Sequence, residues 1–217
     1  ARQTKPFVRL FDGTPANDWW ILLDLQVESQ VGSGYDSTEE HGIILAASLA
    51  DRGLHAHHGV GLMINGRTLD WLPPRTGSGQ RWDILRRLAL ASPGETSLGE
   101  VLEHARPNLG RNASLLIITA TSSSDWYKTL PLLQWSGINP TIFLLDLHSF
   151  DSKQDNSGVA AELKKLHFTC HFLSREMFDH PEARPGTQGQ WEWRISPMGR
   201  AIPVRTPEDR SWRRLAK

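Results

Sequence analysis

The chain has 217 residues, and its 24 Lys and Arg residues balance its 24 Asp and Glu residues. A general nucleic-acid-binding protein carries a basic excess, so we expect no nucleic acid among the partners of this chain. The single cysteine, Cys170, excludes an internal disulfide framework and a zinc site built from several cysteines. An apolar fraction of 39% is typical of a globular protein and too high for a disordered one.

Both ends of the chain are basic. Arg2, Lys5 and Arg9 precede the first acidic residue, and the stretch from Arg205 onward carries five basic residues against two acidic ones. The middle of the chain must therefore carry an excess of acid. The sequence opens without Met, and we expect a fragment of a longer protein that forms one domain over residues 1–217. Residues 1–17 are then a basic lead-in, and residues 190–217 are a hairpin followed by a basic tail.

The first half of the chain alternates apolar runs with amphipathic segments. A continuous apolar run is typical of a strand buried on both faces, and Ser followed three residues later by Glu is typical of a helix start. Asn-Gly predicts a tight hairpin turn, here at Asn65-Gly66. The predicted elements are a strand at 19–25, a helix at 37–54, a strand at 59–64, and an antiparallel edge strand at 68–72 that Pro73 ends.

The second half continues the alternation, and no run in it approaches the ~20 apolar residues of a membrane span. Helices are predicted at 81–90, 97–106, 125–135 and 159–166, and strands at 114–119, 141–145 and 168–172. Residues 191–195 and 201–204 predict a terminal hairpin. This order predicts a parallel sheet covered by helices on both faces. Ligands of such sheets bind past the carboxyl ends of the strands where the strand order reverses, so the loops after Leu23 and Ile118 should meet there.

Several short stretches follow one another in a characteristic order: Ala1-Arg2, Phe7-Val8-Arg9, Asp12-Gly13, residues 18–24, residues 44–50, residues 59–62, and residues 71–75 followed by Gly77. Taken in this order, they resemble the bacterial family called domain of unknown function 58, which is von Willebrand factor A-like, and the resemblance covers the chain to about residue 145. The resemblance implies an α/β, Rossmann-like three-layer sandwich, with a mostly parallel sheet and an antiparallel edge strand.

The resemblance also implies a cellular setting. In this family an upstream portion, often with two membrane helices, precedes the matching segment, so we expect a soluble domain on the cytoplasmic face of a membrane-anchored parent protein. Genes of the family often lie near genes of MoxR-type AAA+ ATPases, which makes such an ATPase a candidate protein partner. The role of the family is itself unsettled.

The von Willebrand factor A fold often carries a metal-ion-dependent adhesion site, whose first motif is Asp-x-Ser-x-Ser. Here that motif reads Asp24-Leu25-Gln26-Val27-Glu28, so both serines are replaced. Thr96 matches the middle threonine, but Ala120 stands where a second aspartate is expected. The resemblance therefore implies a degenerate site with Asp24, Thr96 and Glu28 as candidate ligands. We expect no cofactor, with Mg²⁺ as the ion such a site would hold.

Two other clusters have simpler interpretations. His55-x-His57-His58 follows a predicted helix, and we expect surface histidines rather than a zinc site. Asp125 follows three serines, and its default role is to cap the next helix. A nucleophilic serine there would need a base, and the sequence identifies none.

Together these observations predict a non-catalytic protein-interaction module. Its contact surface would lie on the carboxyl-end loops. The residues expected there are Asp24, Gln26, Glu28, Thr96, Thr121, Ser122 and Asp125. Two alternatives stay open: a metal-assisted hydrolase that uses the same loops, and a structural scaffold whose crevice is vestigial.

Overall fold

The computed structural model describes residues 18–110, 113–179, 192–195 and 201–205. The chain divides into two compact units, with the boundary between Leu173 and Ser174. The single domain expected over residues 1–217 stays a prediction. The basic lead-in at 1–17 and the basic tail from residue 206 lie outside the described residues.

The first unit contains a six-stranded sheet with strand order β3-β2-β1-β4-β5-β6. All neighbouring strands are parallel except β2 and β3, which are antiparallel. The order reverses at β1, between β2 and β4, as predicted. The strands are β1 (Trp19–Asp24), β2 (Val60–Asn65), β3 (Leu69–Arg75), β4 (Ser114–Thr119), β5 (Asn139–Leu145) and β6 (Thr169–Leu173).

The β2–β3 hairpin differs from its prediction in two respects. Asn65 pairs with Leu69, so it ends β2 and three residues, not two, connect the strands. β3 also continues through Pro73 and Pro74 to Arg75, with a register shift in the pairing. The prediction that Pro73 ends the strand is wrong because β3 is an edge strand, where proline does not remove a ladder hydrogen bond.

In the described part of this unit, five α-helices connect the strands and begin close to the predicted positions. They are α1 (Thr38–His55), α2 (Ser78–Ala89), α3 (Leu98–Ala105), α4 (Thr129–Trp135) and α5 (Ser157–Lys165). The hydroxyl of Ser37 accepts a hydrogen bond from Glu40 N–H and caps α1. Ser97 and Glu100 form a reciprocal capping box at the start of α3.

Alternate side chains of the central strands face two separate apolar layers. Ile21, Leu23 and their neighbours pack with α1 and α2 on one face. Trp20, Leu22 and their neighbours pack with α3, α4 and α5 on the other. The result is the predicted α/β three-layer sandwich, and it fixes the carboxyl ends of the strands at one edge of the sheet.

The second unit holds a short helix, α6 (Glu176–Asp179), and the predicted terminal hairpin. Its strands β7 (Glu192–Ile195) and β8 (Ala201–Arg205) pair antiparallel, which confirms the hairpin prediction. Across the part of the chain that the structure describes, no helix has the length and apolar character needed to cross a membrane.

Candidate functional site

Asp24 is the last residue of β1, and its carboxylate is buried between the ends of two neighbouring strands. Its Oδ1 accepts hydrogen bonds from the side-chain amide of Asn65 at 2.8 Å and from the backbone N–H of Gln26 at 3.2 Å. Its Oδ2 accepts one from the hydroxyl of Thr119 at 2.7 Å. Since Asn65 ends β2 and Thr119 ends β4, one carboxylate ties together the ends of three adjacent strands.

The electrostatics of Asp24 are set by opposing effects. Burial raises the pKa of its carboxyl, and the hydrogen bonds from Thr119, Asn65 and Gln26 lower it by less, so the pKa lies above its ordinary value. The Thr119 oxygen also accepts from the backbone N–H of Thr121 at 3.0 Å, which leaves its proton for Asp24. The network thus continues from β1 into the loop after β4.

The loop before α3 is fixed against the same strand end. The N–H of Val27 donates to the carbonyl of Gly94 at 2.8 Å, and the N–H of Gly94 donates to the carbonyl of Leu25 at 3.0 Å. The side-chain amide of Asn65 makes a second bond, to the carbonyl of Thr96 at 2.9 Å. The Asp24–Asn65 pair therefore also positions the segment that begins α3.

An open cleft of about 280 Å³ borders this network at the carboxyl ends of β1 and β4. Three loops and the first turn of α3 form its walls. The lining residues are Gln26, Glu28, Ser29, Ser97, Leu98, Gly99, Thr121, Ser122, Ser123, Asp125, Trp126 and Gln154. The cleft lies at the strand-order reversal where topology places the ligand sites of such sheets.

Five of the residues predicted for the contact surface meet in this cleft: Gln26, Glu28, Thr121, Ser122 and Asp125. The other two are placed differently. Asp24 is buried and bonded to protein donors, and Thr96 is exposed and meets the network through its backbone carbonyl.

Asp125 does not have the capping role expected of it. Ser124 is the N-cap of a 3₁₀ turn at Asp125–Lys128, and α4 begins only after that turn. The Asp125 carboxylate contacts the hydroxyl of Ser123 at 3.4 Å and is otherwise exposed in the cleft. Trp126, in contrast, is buried and donates its indole N–H to the carbonyl of Ser123 at 3.0 Å. The prediction of an Asp125 cap is wrong, and its carboxylate is left at the cleft wall.

The geometry of Asp24 bears on the implied Mg²⁺ ion. Both its oxygens already accept hydrogen bonds from protein donors. Within the described residues, no three His, Cys, Asp or Glu side chains group closely enough to hold a metal ion. In this arrangement the Asp24 carboxylate is committed to Asn65, Gln26 and Thr119. The ligand set Asp24, Glu28 and Thr96 stays a prediction.

Sequence reasoning missed two members of the Asp24 network and one clamp beside it. Asn65 belongs to the predicted hairpin turn, and Thr119 is predicted only as the end of a strand, because the adhesion motif points to the next residue, Ala120. Asn156 is buried before α5, and its side-chain amide donates to the carbonyls of Ala120 at 3.2 Å and Leu145 at 2.8 Å. Polar residues at the ends of adjacent apolar strands were the available signal for Asn65 and Thr119.

The histidine cluster lies at the other end of the sheet. His55 and His57 are exposed, and His58 stacks on Trp19 with ring centroids 4.8 Å apart. His55 Nδ1 lies 3.3 Å from the carboxylate of Asp51 within the same helix. None of the three side chains lines the cleft.

A mostly parallel six-stranded sheet with an antiparallel edge strand, helices on both faces and a cleft at the strand ends defines a von Willebrand factor A-like domain. The sequence matches the family described as "Protein of unknown function DUF58" over residues 1–136, and the chain belongs to that family. No curated protein matches the sequence.

Solved structures resemble this chain at low sequence identity. The SpRpn10 VWA domain has a TM-score of 0.50 and 13% identity, over 73% of this chain and 87% of that one. The conserved hypothetical protein BatB from Bacteroides thetaiotaomicron has a TM-score of 0.45 and 17% identity, over 88% and 82%. Proximal thread matrix protein 1 from the mussel byssus, with a zinc-occupied MIDAS motif, has a TM-score of 0.47 and 14% identity. This chain covers 38% of that protein's chain, and 60% of its own residues align.

Proposed function

We propose that this chain is a non-catalytic protein-interaction module and that the cleft at the ends of β1 and β4 is its contact surface. The observation that carries the proposal is the cleft itself. It is open, it is about 280 Å³ in volume, and its walls are mostly polar side chains at the strand-order reversal. An open polar crevice supports binding over a vestigial scaffold, in which bulky side chains would fill the space.

The chemistry of the walls supports binding over catalysis. Ser29, Ser122 and Ser123 supply hydroxyls, and Glu28 and Asp125 supply carboxylates. Activating a serine needs an adjacent base that is itself held in place. Among the described lining residues there is no imidazole, thiol or amine, and the buried carboxylate of Asp24 is occupied by hydrogen bonds.

We further propose that the adhesion site has lost its metal and that the module binds without one. In the adhesion mechanism the ion bridges the domain to a carboxylate of its partner. Here the hydrogen bonds from Asn65 and Thr119 take the place that an ion would occupy on Asp24. The same loops keep their position because protein donors hold the strand ends together.

The partner that we propose is a MoxR-type AAA+ ATPase, on the basis of the gene neighbourhood typical of the family. The domain would then act on the cytoplasmic face of a membrane-anchored parent protein. The proposed partner and the proposed location do not rest on the geometry of the cleft. The experiment below therefore has one outcome that tests the partner and another that tests the contact surface.

The test measures the Kd between the full-length protein and a purified MoxR-type ATPase from the same organism. Ser122→Trp fills the cleft from an exposed position, and we expect it to raise the Kd at least about tenfold, since a clash removes over ~1.4 kcal/mol. Ser136→Trp is the matched control, because Ser136 is exposed at the end of α4 and lies outside the cleft. Equal binding by both variants would refute the contact surface. If the protein without either substitution does not bind the ATPase, the ATPase is refuted as the partner.

A further inference from the structure

The charged side chains that line the cleft are all acidic. Glu28 and Asp125 are both exposed and line it, and no Lys or Arg is among the described residues of its walls. Residues 18–179, taken by themselves, also carry a negative excess, with 19 acidic residues against 13 Lys and Arg residues. A partner group that enters the cleft therefore meets a negative potential.

A nearly buried residue of the cleft wall carries a hydroxyl without a hydrogen-bond partner. Ser29 lines the cleft and is only 5% exposed, yet its hydroxyl makes no hydrogen bond within the described residues. Its neighbours are satisfied: the hydroxyl of Thr121 accepts from Ser123 N–H at 3.1 Å, and that of Ser97 accepts from Glu100 N–H at 3.3 Å. The Ser29 hydroxyl is therefore an unpaired group of the cleft wall that an incoming donor can reach.

From these two observations we propose that the cleft binds an arginine side chain of a protein partner directly, without a metal. This inference rests on the proposed function and names the chemistry of the partner. The guanidinium would donate to the carboxylates of Glu28 and Asp125 and to the hydroxyl of Ser29. The group that the partner inserts is thus positively charged. In metal-dependent adhesion it is a negatively charged carboxylate, which completes the coordination shell of the ion.

Arginine fits this cleft better than lysine for two reasons. A guanidinium carries five N–H donors in a planar fork, and the cleft offers acceptors on several walls rather than at one point. A guanidinium is also more weakly hydrated than an ammonium, so it loses less hydration free energy on entering the cleft. An acidic side chain would face two carboxylates with no compensating charge on the described walls.

The test is an NMR titration of the ¹⁵N-labelled chain with three capped pentapeptides that share glycine flanks. One carries arginine, one carries the neutral isostere citrulline, and one carries glutamate in the presence of Mg²⁺. We expect the arginine peptide alone to shift the backbone resonances of Ser29, Ser122 and Asp125. Ser29→Ala should weaken that binding severalfold while the rest of the spectrum stays unchanged.

Charge variants complete the test. Glu28→Gln combined with Asp125→Asn should raise the Kd of the arginine peptide by about tenfold or more, because charge-assisted hydrogen bonds are lost. Asp83→Asn is the matched control, since Asp83 is exposed on α2, which packs on the opposite face of the sheet from α3. Both carboxylates in the double variant are exposed, so its fold should persist, and resonances outside the cleft verify this.

Three results would overturn the proposal. Equal binding of the citrulline peptide would show that charge is not recognised. Binding of the glutamate peptide with Mg²⁺ would restore metal-dependent adhesion and leave the cleft as the contact surface. No shift with any peptide would reject arginine recognition, while the ATPase measurement with Ser122→Trp would still decide the proposed function.

Discussion

Replacing Asp24 tests whether its carboxylate is a structural acceptor or a ligand. Asp24→Ala removes the acceptor for three donors: the amide of Asn65, the N–H of Gln26 and the hydroxyl of Thr119. Asp24→Asn keeps the shape and one oxygen, and removes only the charge and the acceptor facing Thr119. The two variants therefore separate the loss of hydrogen bonds from the loss of charge.

The expected magnitude follows from the burial of these donors. Each buried donor left unpaired costs about 1–3 kcal/mol, and Gln26, unlike Asn65 and Thr119, is only half-buried, so its N–H should cost less. Removing a buried carboxylate offsets part of this cost, because burial disfavours its charged form. The free energy of unfolding should fall by about 2–4 kcal/mol in Asp24→Ala and by about 1 kcal/mol or less in Asp24→Asn.

The assay is thermal and urea unfolding of both variants, followed by circular dichroism at pH 7. For a domain of this size each kcal/mol corresponds to a Tm change of about 2–4 °C, so Asp24→Ala should unfold roughly 5–15 °C below the parent. A Tm for Asp24→Ala within about 1 °C of the parent would refute the network as a source of stability. Equal losses in both variants would show that the negative charge matters, as it would for an ion ligand.

The remaining predictions use the same unfolding measurements. Burial raises the pKa of Asp24 in the folded chain above its ordinary value in the unfolded chain. The free energy that the protonated Asp24 contributes to folding is therefore fully present below the ordinary pKa, and it is lost as the pH rises through the raised pKa. The stability of Asp24→Asn relative to the parent should therefore increase from pH 4 to pH 7, and an opposite slope would contradict the raised pKa. Mg²⁺, Mn²⁺ or a chelator should leave the parent Tm unchanged within about 1 °C, whereas an ion at 100 times its Kd would add about 2.7 kcal/mol. Gly94→Ala should destabilise by at least ~2 kcal/mol, because a Cβ would lie 2.7 Å from Arg67 N and overlap the Gly66 carbonyl. Gly79→Ala is its control, since a Cβ there meets open space, and equal stability of the two variants would refute the close approach.

The sequence predicted most of the fold because the signals are local. Continuous apolar runs of about six residues identify buried strands, and Ser37 and Ser97 mark helix starts through capping that each segment carries within itself. The reversal of strand order at β1 followed from the alternation of strands and helices. The errors fell where position in the sheet decides, as at Pro73, which only an edge strand tolerates.

The candidate site was predicted in part. Topology alone brought the loops after β1 and β4 to one place, and five of the residues predicted for them line one cleft. The role of Asp24 could not be read locally, because its partners Asn65 and Thr119 are 41 and 95 residues away along the chain. The unpaired hydroxyl of Ser29 was equally hidden, since burial without a partner is a property of the assembled walls.

The sequence by itself determined the class of sheet, the order of its elements and the edge at which a ligand would lie. These follow from hydrophobic periodicity and from the geometry of parallel strands. Only the tertiary structure decided that Asp24 accepts hydrogen bonds from protein donors, while Glu28 and Asp125 are left exposed in the cleft. The physical reason is that hydrogen-bond satisfaction and burial depend on which distant residues meet, and no local pattern in the sequence records those meetings.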